Sequence, residues 1–150
     1  MSNTIQNTLG TFTGFTITLN SLASATYVAA TAVDLGTPTP IDTLLELVIT
    51  PGTVSGNKQA LLFVQVSLDG TNYSTGPTSG TTTTDQPNLF FVGTLPLNSS
   101  STQQRDSWSL LTAIGFSPRF IKPVVLNDSG AAFAGSGNSC SYVTVVGTFT

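Results

Sequence analysis

From Ala60 to Leu68 the chain reads ALLFVQVSL, and Asp69-Gly70 follows at once. Side chains alternate faces along a strand, so Leu62, Val64, Val66 and Leu68 face inward and Phe63, Gln65 and Ser67 face the other way. Asp-Gly after such a run is a strong hairpin signal, because a type I′ turn needs positive φ at both central residues. The spacing predicts a strand over 60–68, a structural turn at Asp69 and Gly70, and a short returning strand over 71–74. The same grammar governs the rest of the chain: alternation with a period of two, broken by Gly, Pro and Asn, with no long run at helical spacing.

FTGFTITL (residues 12–19) puts Phe15, Ile17 and Leu19 on one face and Thr16 and Thr18 on the other. TYVAATAVDLG (26–36) reads as an Ala-rich strand closed by a Gly-Thr-Pro-Thr-Pro breaker. TLLELVIT (43–50) is short, lies between Pro40 and Pro51 and ends in β-branched residues, so it reads as strand. TGPTSGTTTTDQP (75–87) is an exposed loop or an extended edge. NLFFVGTLPLN (88–98) is a strand whose Gly93 and Pro96 suit an edge or a bend. SSSTQQRDS (99–107) reads as polar linker, and SWSLLTAIGF (107–116) fits either a strand or one helical turn. RFIKPVVLN (119–127) is strand-like, with Pro123 placing it at an edge or bulge. Asn127 to Gly130 forms a turn, and SYVTVVGTFT (141–150) closes the chain as an alternating strand. The fold expected is all-β: a single β-sandwich or jelly roll of about eight or nine short antiparallel strands. Residues 1–20 form an N-terminal strand or arm and residues 21–150 the sandwich, one domain overall, as 150 residues suggest.

Charge narrows function. Four basic and seven acidic residues make up 7% of the chain, against about 25% in an average soluble protein. The polar content sits instead in 26 Thr and 17 Ser. A net charge of −3 without basic clusters argues against nucleic acid as partner. No His is present, which removes Ser-His-Asp and Cys-His machinery. Cys140, the single cysteine, reads as a buried strand residue and supports neither a disulfide nor a Cys-based zinc site. Asp42 and Glu46 share a strand face but at ~13 Å, beyond the ~5–9.5 Å of glycoside hydrolysis. The expectations are no catalytic residue, no cofactor and no metal. The N-terminus has neither a basic start nor an apolar stretch, and no apolar run nears the ~18 residues a membrane helix needs. Synthesis in a host cytoplasm, without a membrane, is therefore expected.

Trp108, Phe90, Phe91 and Phe116 fit a core, or alternatively a sugar-stacking platform. Arg105, Trp108 and Arg119 are candidate interface residues, the first two because charge flanks a large aromatic. Eleven charges leave much of the surface neutral, and several strands carry apolar residues on both faces, as with Leu44 opposite Leu45. Such a surface fits coverage by other chains. SLDGTNY (67–73) resembles the Ser-x-Asp-Gly hairpins of sialidase Asp-boxes and discoidin-like modules, where the Asp ties the turn and an aromatic packs beneath; here these would be Asp69 and Tyr73. The order TYVAATAVDLG, a Pro-bounded apolar strand, VQVSLDG, LPL and PRFIKPVVLNDSGAAFAG is similar to that of the jelly-roll cement, or decoration, proteins of tailed bacteriophage heads. That resemblance implies a non-enzymatic structural protein on the capsid surface of a virion. It would form dimers or trimers and bind major capsid protein subunits to stabilise the head. Phage tail and baseplate sandwiches share parts of the order, so a tail or fibre component, or a carbohydrate-binding adhesin, is the alternative.

Overall fold

Burying one face of each strand requires two sheets laid inner face to inner face, and this is the arrangement adopted. The structure, a computed structural model, describes residues 5–81 and 86–149. Its first strands are β1 (Ile5–Leu9), β2 (Thr13–Gly14), β3 (Thr26–Ala29), β4 (Val33–Asp34), β5 (Asp42–Ile49) and β6 (Gln59–Ser67). Then follow β7 (Ser79–Gly80), β8 (Phe90–Pro96), β9 (Gln104–Ser109), the short helix α1 (Leu110–Ile114), β10 (Phe120–Asp128) and β11 (Ser139–Phe149). Sheet A runs β1-β11-β5-β9, with β2 also on β11; sheet B runs β7-β3-β10-β6-β8, with β4 also on β10. Every named strand pairing is antiparallel. Without the two-residue strands β2, β4 and β7, eight remain among the described residues, against the eight or nine that the alternation predicts. Their order, first-eighth-third-sixth against second-seventh-fourth-fifth, is that of a jelly roll.

Leu45, Leu47 and Ile49 of β5 and Leu62 and Val64 of β6 are wholly buried between the sheets, with Ile121 and Val125 of β10. Phe15 and Leu19 are buried and Ile17 partly so, yet only Thr13–Gly14 of that segment joins a ladder. Residues 26–36 split into β3 and β4 because, beyond the Ala30 N–H bond to Pro123, the chain leaves β10 and Thr31 N–H turns to the Thr16 carbonyl. A second cluster, Tyr27, Phe63, Leu89 and Val124, lies on the outer face of sheet B. The segment from Ser74 onward covers it: Pro77 is buried, and Gly76 lies so close to Leu89 that a Cβ there would clash.

Four expectations need correction. Leu68 does not face inward; it is 99% exposed, because the ladder ends at Ser67, whose Oγ accepts the N–H groups of Asp69 and Gly70 (3.3 and 3.0 Å) and turns the chain. The turn is not type I′: Gly70 has φ +76° but Asp69 is not among the residues of positive φ, and the return is a single bridge, Ser67 to Tyr73, rather than a strand. SSSTQQRDS is only partly linker, since Gln104–Ser109 is strand β9, polar because it forms the exposed edge of sheet A. Pro123 lies at no edge: β10 is the central strand of sheet B. A strand residue's N–H and C=O point to one side, and the Pro123 carbonyl accepts from Ala30 N–H at 2.8 Å. Its missing N–H therefore faces the gap between β3 and β4, where no ladder bond is lost.

Candidate interaction surfaces

The acids of the described residues are engaged in holding the fold. Asp69 Oδ1 accepts from Ser67 Oγ (2.9 Å) and from the N–H groups of Thr71 and Asn72 (2.8 Å each), and Oδ2 from Asn72 Nδ2 at 2.8 Å. These donors, the Asn72 and Thr71 N–H groups first, hold its carboxyl far below the usual carboxylate range. Gly70 sits against the Phe120 ring, with room for a Cβ only 3.0 Å from it. Asp42 takes the N–H groups of Thr43 and Leu111 and the Ser109 hydroxyl, which itself caps α1 by accepting from Thr112 N–H at 3.0 Å. Asp106 accepts from Ser107 N–H, and Asp128 from Asn57 and Gln59 amides. Among the described residues no cluster of three or more His, Cys, Asp or Glu could hold a metal ion. No helix of the described residues is long and apolar enough to cross a membrane.

Arg119 binds Asp34 through two bonds, Nε to Oδ1 at 2.9 Å and Nη2 to Oδ2 at 2.7 Å, with its guanidinium 4.7 Å from the Phe120 ring centroid. That pairing, then the Gly36 N–H, lowers the Asp34 pKa to about 2. Arg105 lies on the outer face of sheet A, 3.8 Å from Glu46, whereas Trp108 packs against the core with its indole over Gly93 of β8. Arg105 and Trp108 therefore occupy opposite faces of β9 and do not form one anchor. The aromatic platform divides likewise: Phe90 packs against the core, 5.5 Å from Phe116, while Phe91 is half exposed on the outer side, 5.6 Å from Phe63.

Among the described residues, two open surfaces bear on partner binding. The outer face of sheet A carries Leu9 paired with Val145 and Leu44 paired with Val143, with Phe12 beside them. Leu9 is 64% and Phe12 60% exposed. Phe12, Leu44, Glu46, Ser107 and Val143 bound a shallow hollow of about 150 Å³. Of this patch the sequence signalled only Leu44, through the doubly apolar strand; Leu9 and Phe12 join it through pairing with β11. The second surface is a groove of about 560 Å³ where Ala30–Ala32 leave β10, lined by Thr16, Thr18, Thr31, Tyr73, Thr78 and Lys122.

No protein-family model matches this chain, and no curated protein matches it either.

Proposed function

We propose that the protein is a structural component of a virion, a decoration protein that self-associates and binds major capsid subunits on the surface of a tailed-phage head. The observation carrying this reading is the contiguous neutral face of sheet A, with exposed Leu9, Phe12 and Leu44 beside a single ion pair, Glu46–Arg105. An apolar patch rimmed by Ser, Thr and one ion pair marks a protein-binding surface. No reaction enters the reading, since the described carboxylates are occupied by turn, cap and ion-pair duties. Each bound copy would stabilise the assembled head by mass action, because it binds the assembled state alone.

The test is to remove the protein from heads that carry it and compare their thermal melting. Heads should melt at lower temperature without it, and attachment should survive 1 M salt, because few charges are available to screen. Unchanged melting, or ready release by salt, would overturn the reading. The groove over Lys122 favours a second reading, a tail or fibre module that binds glycan through hydroxyls and Tyr73. Saturable glycan binding lost in Tyr73→Ala would promote it.

A further inference from the structure

We propose that two copies of the chain join through the open side of β1, antiparallel about a two-fold axis at Asn7, so that sheet A continues from one protomer into the next. The inference deepens the self-association part of the reading above and requires nothing of the capsid.

Sheet edges left bare attract other strands, and folded proteins blunt them with charge, Pro, bulges or brevity. Three of the four edges here are blunted. β9 carries Arg105 and Asp106; β8 contains Pro96 and a bulge between Leu62 and Phe63 of its partner; β7 is two residues long. β1 has none of these devices. It is IQNTL, uncharged and Pro-free, in unbroken register from Ile5–Phe149 to Leu9–Val145. No described residue pairs with its outer side.

The second observation is an overhang. β5 begins at Asp42 opposite Val145, so residues 146–149 of β11 pair with β1 alone. Gln6 to Leu9, Gly147 and Thr148 are all exposed on this two-stranded ribbon. A lone ribbon of two strands is marginal in water and gains stability from a third.

The phase of the ladder shows which groups are free. Gly10 N–H donates to Thr144 O at 2.8 Å, so the even residues of β1 face β11. The N–H and C=O groups of residues 5, 7 and 9 consequently point outward. An axis at Asn7 makes each of these a donor and acceptor for the second copy, on the order of six backbone bonds in one antiparallel ladder. It sets Asn7 opposite Asn7 and Gln6 opposite Thr8. No like charges meet, which is why a second copy fits this edge. Pairing also joins the two Leu9–Val145 patches on one continuous outer face.

Sedimentation of the full chain at micromolar concentration should give a dimer. Asn7→Cys should form a covalent dimer under mild oxidation, since hydrogen-bonded partners have Cα atoms about 5.5 Å apart, within disulfide range. Cys140 is buried and does not compete. Thr8→Cys should not bridge, because the two Thr8 positions lie two residues out of register, more than about 7 Å apart. Asn7→Lys sets two ammonium groups face to face and should weaken the dimer at least about tenfold, with recovery in salt. A monomer, a trimer, or equal bridging by Asn7→Cys and Thr8→Cys overturns the proposal. If Asn7→Lys fails to fold, the cysteine pair decides alone. A β1 dimer that ignores phage heads would refute the capsid reading and leave this one standing.

Discussion

Replacing Asn127 with alanine should destabilise the protein by about 4 kcal/mol. The residue is wholly buried near the end of β10, where it reinforces two segments otherwise joined by the Phe133 N–H to Leu22 C=O and Ser21 N–H to Ala134 C=O bonds. Its Nδ2 donates to the carbonyls of Leu22 and Ala131, both at 2.8 Å. Its Oδ1 accepts from Ser129 N–H at 3.0 Å and from the Ser129 hydroxyl at 2.7 Å. Alanine leaves the Ser129 N–H without its acceptor, a cost of about 1–3 kcal/mol for a buried orphan. Both carbonyls keep one partner, Leu22 from Phe133 N–H and Ala131 from Ser129 Oγ, so each loses only ~0.5–1.5 kcal/mol. The sum lies at about 2–6 kcal/mol, or roughly 8–16 °C in Tm at its centre for a domain of this size. Asn127→Asp has the same shape but points carboxylate oxygen at two carbonyls. At neutral pH it should be worse than alanine and recover as acid protonates it. Urea denaturation at pH 7 and pH 4 measures both. An alanine cost below ~1 kcal/mol, or an aspartate variant as stable as wild type, would refute the network as a clamp.

Leu62→Ala should cost about 2–5 kcal/mol in urea melts while Leu68→Ala stays within about 0.5, although both belong to one alternating run. Asp34 has its pKa lowered to about 2 by Arg119 and the Gly36 N–H, so its stabilisation is complete above the ordinary value near 4 and lost as pH falls through about 2. Urea midpoints from pH 5 to pH 2 should fall less steeply in Asp34→Asn. Burial pushes the Cys140 thiol up to about 12 from 9.0, so the folded chain keeps its proton while the unfolded one releases it. Stability should decline above pH 9, and Cys140→Val should flatten that decline between pH 9 and pH 10.

Alternation was legible wherever it coincided with burial. Leu45, Leu47, Ile49, Leu62 and Val64 sit where a period of two places them, because both sheets must hide one face. It failed at Leu68 since periodicity carries no mark of where a ladder ends; the stop is set by Ser67 and Asp69 side chains taking the backbone N–H groups. β9 was invisible because an edge strand with one face against solvent needs little apolar residue beyond Trp108. Pro123 misled because the rule that keeps Pro from central strands assumes an unbroken neighbour, and the chain departs after Ala30, just where the N–H would be wanted. Asp69 and Gly70 kept their structural part under a different turn geometry. The interface candidates fared unevenly: Arg105 stays on the surface, Trp108 turns inward, and Arg119 is committed to Asp34.

The two outer faces of the sandwich differ in how their apolar residues are covered. On sheet B, Tyr27, Phe63 and Val124 would be as exposed as Phe12, had the chain not laid Pro77 and Leu89 across them. No comparable segment of the described chain crosses sheet A, and its Leu9, Phe12 and Leu44 stay in water. One sequence that lays its own loop over Tyr27, Phe63 and Val124 and leaves Leu9, Phe12 and Leu44 bare treats the two faces differently. The bare face also adjoins β1, the one edge of the described sheets blunted by neither charge, Pro, bulge nor brevity. Pairing at that edge and contact across that face are therefore geometrically compatible: the first extends sheet A within its plane, and the second uses the surface perpendicular to it. A β1-linked dimer would present two such patches side by side on one continuous face.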